Sequence, residues 1–238
     1  RDQPRSRGLG DVYKRQTDTS ILNFPKMFMN TFVIAIFTCI ISTIFVLSVA
    51  YSMSRMRFKM RKPFMNIAMI IGLFPSFMSM IAVYYILRAL NLADGAMIRV
   101  ALIIVFSAGS GAGFYVAKGF FDTISKSLDE AAIIDGATRW NVFTKITVPL
   151  SKPIIVYTIL TSFMGPWVDF IFGKVICRAD AQYYTVSIGL WKMLEKEYID
   201  SWYTCFAAGA VVVSIPIAIL FLMTQKFYVE GMTGAVKG

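Results

Sequence analysis

The sequence predicts an all-α, polytopic transmembrane helical bundle, and three observations predict it. Apolar residues lie in continuous runs of about twenty, charged residues fall between those runs, and the inter-run charges are mainly basic. A run of about that length, rising about 1.5 Å per residue, crosses a hydrocarbon core of about 30 Å. Hydrophobic residues make up 57% of the chain and charged residues only 16%, where a soluble domain carries roughly 25% charge. The mean hydropathy of +0.63 agrees. A β-barrel is excluded because the apolar runs do not alternate.

Five spans follow in order. The first, Asn30–Met53, leads into Ser54-Arg55-Met-Arg57-Phe-Lys59-Met-Arg61-Lys62, a loop with five positive charges and no acid. The positive-inside bias makes this loop cytoplasmic, and alternation fixes the rest. The second span is Phe64–Leu87, with Leu90–Met97 outside after it. The third is Ile98–Val116, followed by an inside loop, Lys118–Lys152, whose Lys118, Lys126, Arg139, Lys145 and Lys152 agree with that side. The fourth is Pro153–Phe172, with Gly173–Trp202 outside. The fifth is Tyr203–Thr224, and the tail from Gln225 is inside. Pro75, Pro166 and Pro216 fall within spans, where each removes a backbone hydrogen bond and permits a kink. Ser107-Ala-Gly109-Ser-Gly111-Ala-Gly113 is a patch of small residues with two readings, close helix packing or a substrate-lining hinge.

Five spans with an inside C-terminus put the N-terminus outside, and Arg1, Arg5, Arg7, Lys14 and Arg15 would then need export. Either a basic tail is translocated or an upstream helix is missing, and the second reading is favoured because no signal peptide is present. Asp11-Val-Tyr-Lys14-Arg15-Gln16 is also encoded by GATGTGTATAAGAGACAG, which resembles the transposon end used in DNA library preparation. Residues 1–16 are therefore expected to be a non-native sequencing scar, with native sequence from about Thr17.

Other functions are disfavoured by what the chain lacks. The net charge of +10 is spread over the loops and forms no separate basic face, so nucleic-acid binding is not expected. Cys39, Cys177 and Cys205 show no disulfide or metal spacing. Histidine is absent, and with it the commonest general base and metal ligand. No phosphate-loop spacing occurs, so no nucleotide or other cofactor is expected on this chain.

The inside loop carries the most specific signal. Phe121, Ile124, Leu128, Ala132 and Asp135 recur at helical spacing and predict an apolar stripe ending in a polar residue. Gly136 follows, able to end a helix with positive φ. A second amphipathic segment sets Trp140, Phe143 and Thr147 on one side with Ile146 beside them, and Pro149 and Pro153 are expected to stop it before the fourth span. The shape is helix, glycine turn, short helix and re-entry, a rigid knob in which Ala131 and Ala132 admit a partner closely.

Within this loop Glu130-Ala131-Ala132, three residues, Gly136, nine residues, Ile146-x-x-Pro149 resembles the signature of permease subunits of binding-protein-dependent ABC importers. Val148 stands where that family usually has Leu. Ser125 stands where many members have Pro, which loosens the predicted helix start. Lys118-Gly-Phe-Phe-Asp122, Gly165-Pro-Trp167-Val-Asp169-Phe and the tail Gln225–Gly238 extend the resemblance to carbohydrate importers, in particular the second permease of the maltose or maltodextrin type. The likeness runs from about residue 20 to the C-terminus.

The resemblance implies a type I importer permease in a bacterial cytoplasmic membrane, with six spans of which the first is missing here. It makes residues 17–238 the transmembrane domain and 118–152 its cytoplasmic coupling loop. It implies a non-catalytic subunit moving maltodextrin or another oligosaccharide. The implied partners are a second permease, two copies of a cytoplasmic ATPase subunit that binds the ATP, an extracellular or periplasmic sugar-binding protein, and membrane lipid. The coupling residues would be Glu130, Ala131, Ala132, Asp135, Gly136, Ile146 and Pro149, with Glu130 holding the loop by polar contacts.

Candidates for the substrate path are Asp169, Trp167 and Tyr115, with Tyr84 and Tyr85 as further aromatics. Asp169 near the outer end of the fourth span reads equally as an exposed interfacial acid or as a functional one. The aromatics read as an interfacial belt or as sugar-stacking faces. Tyr183-Tyr184-Thr185 to Asp200 is either a contact for the binding protein or an unpartnered loop. An ion-gradient transporter is the alternative function; it places acidic or histidine relays at the midplane, and these spans hold almost none. A membrane-embedded enzyme lacks any catalytic cluster.

Overall fold

The computed structural model describes residues 22–73, 76–109, 113–178, 180–196 and 199–235, and the side chains of all of these but 76, 77, 201 and 228–235. Residues 1–16, Pro75 and the centre of the small-residue patch lie outside the described residues. Among the described residues every regular element is helical. The first is α1 (Phe24–Arg55), 32 residues long. Asn23 Oδ1 accepts from the Lys26 N–H at 3.0 Å, so an asparagine cap starts the helix with Pro25 in its first turn, where a missing N–H costs little. That cap is why α1 begins six residues ahead of the expected span.

The second expected span is two helices, α2 (Arg61–Gly72) and α3 (Ser76–Ala89). The third is also two, α4 (Met97–Gly109) and α5 (Gly113–Thr123). Helix α5 runs on through Lys118 and Asp122, past the expected end at Val116. The loop follows as α6 (Lys126–Ile134) and α7 (Arg139–Leu150). The fourth span is α8 (Lys152–Val168), with Pro166 inside it, and it stops before Asp169. Then come α9 (Ile171–Cys177), a 3-10 turn (Ala181–Tyr183), α10 (Val186–Met193) and α11 (Ile199–Ala235), with Pro216 inside α11. Among the described residues, Phe24–Arg55 and Trp202–Phe227 are each long and apolar enough to cross a membrane, and the candidate spans number up to four if each of two bent helix pairs is one span.

The chain divides into two compact units, the first Arg1–Phe37, Met80–Val105 and Phe163–Leu220, the second Thr38–Ser79, Phe106–Ser162 and Phe221–Gly238. In the first unit a buried polar network seats the segment after α9. Asn30 is 2% exposed; its Nδ2 donates to the carbonyls of Gln182 at 2.9 Å and Tyr184 at 3.2 Å, and its Oδ1 accepts from Arg99 Nε at 3.0 Å. Thr31 Oγ1 accepts from the Val186 N–H at 2.9 Å, which satisfies an orphan donor at the start of α10. The Arg99 guanidinium lies over the Tyr183 ring. Apolar packing completes the seat: Val186, Ile188 and Met193 are buried, and a Cβ on Gly189 would lie 2.4 Å from the Met27 sulfur. The segment is thus a docked element rather than a loose loop. Burial pushes the Cys177 thiol up to about 12, helped by the charge of Asp180.

In the second unit α1 packs against α5 and α8. Val46, Leu47, Ala50, Phe114, Ala117, Phe121 and Ile154 form one buried cluster, and a Cβ on Gly113 would meet Val46 at 3.8 Å. That is ordinary contact distance, and a Cβ on Gly109 would meet nothing within 4 Å, so neither described glycine of the small-residue patch is required for close packing.

Replacing Asn30 by Leu strips partners from Arg99, from the buried Tyr184 carbonyl and from the part-buried Gln182 carbonyl, at about 1–3 kcal/mol for each buried group left unsatisfied. The expected result is a fall of several degrees in the detergent-solubilised thermal midpoint, with Asn30→Gln falling less.

Candidate functional site

The loop between α5 and α8 is built on one face at the end of α1. Tyr51, Ser54 and Arg55 follow helical i, i+3, i+4 spacing, and each grips a different segment. Tyr51 OH donates to the Arg139 carbonyl at 3.2 Å, and its ring lies 4.7 Å from that of Phe143, both on α7. Ser54 Oγ donates to Asp122 Oδ1 of α5 at 2.6 Å. Arg55 Nη2 donates to the Ile124 carbonyl at 2.8 Å, and Arg55 Nε lies 3.2 Å from Asp129 Oδ2 of α6. The last contact is an ion pair off hydrogen-bonding alignment. The two side chains are 3% and 13% exposed.

Asp122 is held from two sides. Burial raises its carboxyl pKa, but hydrogen bonds from Lys118 and Ser54, with the charges of Lys118 and Arg61, outweigh that and hold it below the ordinary value of 3.8. A depressed folded-state pKa contributes stability that is present above 3.8 and is lost as pH falls through the lower, folded value.

The knob itself follows local rules. Ser125 caps α6, its Oγ accepting from the Ser127 N–H at 3.3 Å. The serine in the position where proline was looked for thus starts the helix rather than loosening it. The expected stripe from Phe121 to Asp135 is not one helix face, because the extended Ser125 separates α5 from α6; Phe121 is fully buried while Leu128 is 45% exposed. At the other end of α6, Ala137 N–H donates to the Ala132 carbonyl and Gly136 N–H to the Ile133 carbonyl. That pair of bonds is a Schellman cap with glycine in the left-handed position, and Gly136 has φ +85°, as its spacing predicted. Thr138 then caps α7, accepting from the Asn141 N–H at 3.2 Å.

Helix α7 carries a π turn, Phe143–Thr147, just ahead of Pro149. Pro149 has no N–H for the residue 145 carbonyl and its ring crowds that carbonyl; the wider turn admits it. Pro149 therefore does not stop the segment. The break falls at Ser151, with φ −105° and ψ 21°, Pro153 enters the first turn of α8, and α7 and α8 meet at a bend of 82°. Phe143 and Thr147 face inward as expected, but Trp140, near the start of α7, is 68% exposed.

Glu130, Ala131, Asp135, Gly136 and Pro149 are exposed, and Ala132 and Ile146 are half-buried. Glu130 lines a cleft with Tyr51, Arg55, Ile133 and Arg139, yet the acid in the holding contact is its neighbour Asp129. Around these residues stand Ile134, 85% exposed, Ile133, Leu128 and Trp140, an apolar surface on a rigid knob.

Of the three substrate-path candidates, Trp167 and Asp169 belong to the first unit and Tyr115 to the second. Trp167 is 3% exposed in the first unit, with Phe28, Phe32 and Phe163 around it; its Nε1 is buried without a hydrogen-bond partner among the described residues. Asp169 lies between α8 and α9, its Oδ1 accepting from the Gly173 N–H at 3.0 Å, a helix-start cap that accounts for it structurally. Tyr115 belongs to the second unit; its hydroxyl donates to the Met65 carbonyl and its ring stacks on Phe114. Tyr84 lies under the Arg178 guanidinium, and Tyr85 is 60% exposed.

Comparison with known proteins gives this helical chain relatives in sequence and in fold. Residues 44–232 match the family described as binding-protein-dependent transport system inner membrane component. The chain belongs to this family. It is 35% identical over 219 residues to the galactooligosaccharides transport system permease protein GanQ of Bacillus subtilis (strain 168), covering 91% of this chain and 76% of that one. It is 32% identical over 229 residues to the maltodextrin transport system permease protein MdxG of the same organism, covering 96% and 80%. Its fold matches a solved bacterial ABC transporter involved in the import of the acidic polysaccharide alginate, with TM-score 0.73 and 25% identity, over 91% of this chain and 79% of that one. The chain is thus a non-catalytic, multi-pass inner-membrane permease subunit of a sugar ABC importer, and the ion-gradient alternative falls with that assignment.

Sequence reasoning counted Arg55 only as an inside charge and gave Tyr51, Ser54 and Asp129 no role. The available signal was their i, i+3, i+4 spacing at the end of an otherwise apolar helix.

Removing one partner of a buried ion pair costs about 3–5 kcal/mol, whereas an apolar replacement of both is far milder. Asp129→Leu is expected to lower the stability of the purified protein strongly. Arg55→Met combined with Asp129→Leu is expected to recover most of that loss in a double-mutant cycle of thermal midpoints.

Proposed function

We propose that the α6–Gly136–α7 knob is the coupling element through which ATP hydrolysis on separate subunits moves these helices, and that the cargo is maltodextrin or another oligosaccharide. The observation that carries this reading is the pairing of an exposed apolar surface with a rigid mount. Ile134 at 85% and Trp140 at 68% exposure are the kind of patch a partner covers, and Tyr51, Ser54 and Arg55 tie it to α1. A push on the knob therefore reaches a membrane helix without being absorbed in a flexible linker. Differential contact with two states of an ATPase subunit would then shift the populations of inward- and outward-open forms.

In this reading Ala131 and Ala132 allow close approach, Gly136 makes the turn, Asp135 ends the helix, and Ile146 and Pro149 set the far end of α7. Glu130, exposed on the cleft wall, meets the partner rather than holding the loop. The assembly would contain a second permease, two ATPase subunits and an external sugar-binding protein. The oligosaccharide reading draws on the relatives, one a permease for galactooligosaccharides and another for maltodextrin. Trp167, 3% exposed and enclosed by Phe28, Phe32 and Phe163, would back the path wall rather than stack on the sugar. Tyr115 and Asp169, committed to contacts within the chain, would shape the path indirectly.

Gly136→Asp meets open space rather than a clash, but it adds left-handed strain of about 1–2 kcal/mol and a second carboxylate beside Asp135. Transport is expected to be lost while the protein still accumulates in the membrane, and normal sugar uptake by this variant would sink the coupling reading. The cargo is tested separately. In a reconstituted complex, maltodextrin-loaded binding protein is expected to stimulate ATPase activity well above the unloaded protein, and no response to any oligosaccharide would overturn the substrate class.

A further inference from the structure

We propose that the basic cleft at the end of α1 binds the headgroup phosphate of an anionic phospholipid in the adjoining leaflet. The cleft, about 180 Å³ in volume, gathers Arg55, Arg57, Arg61, Lys126 and Arg139 from separate stretches of the chain. These five cations face two acids, Asp129 and Glu130, and Asp129 is already engaged by Arg55. A concave wall with excess charge of one sign concentrates the opposite ion. Arg55 supplies a second observation. Its side chain is 3% exposed, and its Nη1 is buried without a hydrogen-bond partner among the described residues. A guanidinium donor left without an acceptor is costly, and a phosphate oxygen suits it.

The flanking residues say which phosphate. Met56, Phe58 and Met60 alternate with the basic residues and are all exposed. Exposed apolar side chains beside the basic residues in sequence do nothing for a free anion, but they lie well against acyl chains while the arginine heads reach the headgroup. A cluster of basic residues beside the cytoplasmic end of a span attracts anionic lipid, and here the folded loop turns that cluster into a cleft. Lys59 and Lys62 are just as basic and as near in sequence, yet they are not on its wall. The inference rests on the coupling reading for the placement of this end of α1 at the cytoplasmic face, and the cleft also carries Glu130, Ile133 and Arg139 of the knob.

The test purifies the assembled full-length complex from a mixed phosphatidylglycerol and phosphatidylcholine bilayer and measures retained lipid by native mass spectrometry. Phosphatidylglycerol is expected to be retained over phosphatidylcholine. Arg57→Ala and Arg61→Ala should each lower that preference about fivefold, while Lys59→Ala and Lys62→Ala leave it at the parent value. Equal losses from both pairs, or no lipid preference in the parent, would overturn the proposal. So would displacement of the lipid by inorganic phosphate, which would assign the cleft to a free anion. Should an arginine variant fail to accumulate, competition on the parent complex decides, with added phosphatidylglycerol displacing the retained lipid and phosphatidylcholine leaving it. Lipid retention is read without transport, so failure of the coupling reading leaves this result standing.

Discussion

Arg55 ends α1 as a buried cation, and the shape of the loop follows from the need to neutralise it. The helix C-terminus favours a positive charge there, but burial of the guanidinium demands a carboxylate and acceptors close by. Asp129 supplies the first and the Ile124 carbonyl one of the second. Both come from the junction of α5 and α6, so that junction is pulled onto the end of α1. Ser54, beside Arg55, and Tyr51, one turn earlier, repeat the grip, on α5 and α7. A single helical face thus fixes three segments with three different side-chain chemistries, and the apolar cluster around Phe121 closes beneath them.

The other end of the loop is set by backbone chemistry. Proline at 149 conflicts with an α-helix running through it, and the chain answers with a wider π turn rather than by unwinding. The helix then continues to Leu150 and breaks at Ser151, where the chain turns by 82° into α8. Two ends, one ionic and one covalent in origin, leave the exposed Gly136 turn between them. That geometry keeps Ile134 and Trp140 at the surface even though burial would favour both.

Much of this was legible in the sequence because it depends on local signals. The apolar runs gave the helices, and Gly136 gave its left-handed turn through spacing alone. The misses have physical causes. Serine at 125 took the capping role and cut a stripe that periodicity alone would join. Helix α1 starts early because Asn23 caps it. Arg55 and Asp129 are far apart in the chain, and the spacing that sets Arg55 beside Tyr51 and Ser54 names no partner for it. Asp169, conspicuous as an acid next to a span, is a helix-start cap, which only the break after Val168 makes visible.

Arg55 and its neighbours also show why charge counting misleads at a membrane boundary. The positive-inside bias treats the five basic residues of the first loop as equivalent. In the fold they divide by geometry: Arg55 is buried and pairs with an acid, Arg57 and Arg61 line a concave wall, and Lys59 and Lys62 stand apart from it. The same charges that set the orientation of a helix are therefore free to take separate structural duties once the helix is in place. The energetic weight of each depends on desolvation rather than on sign, which is why the buried member of the group, and not the cluster as a whole, holds the knob to the membrane helix.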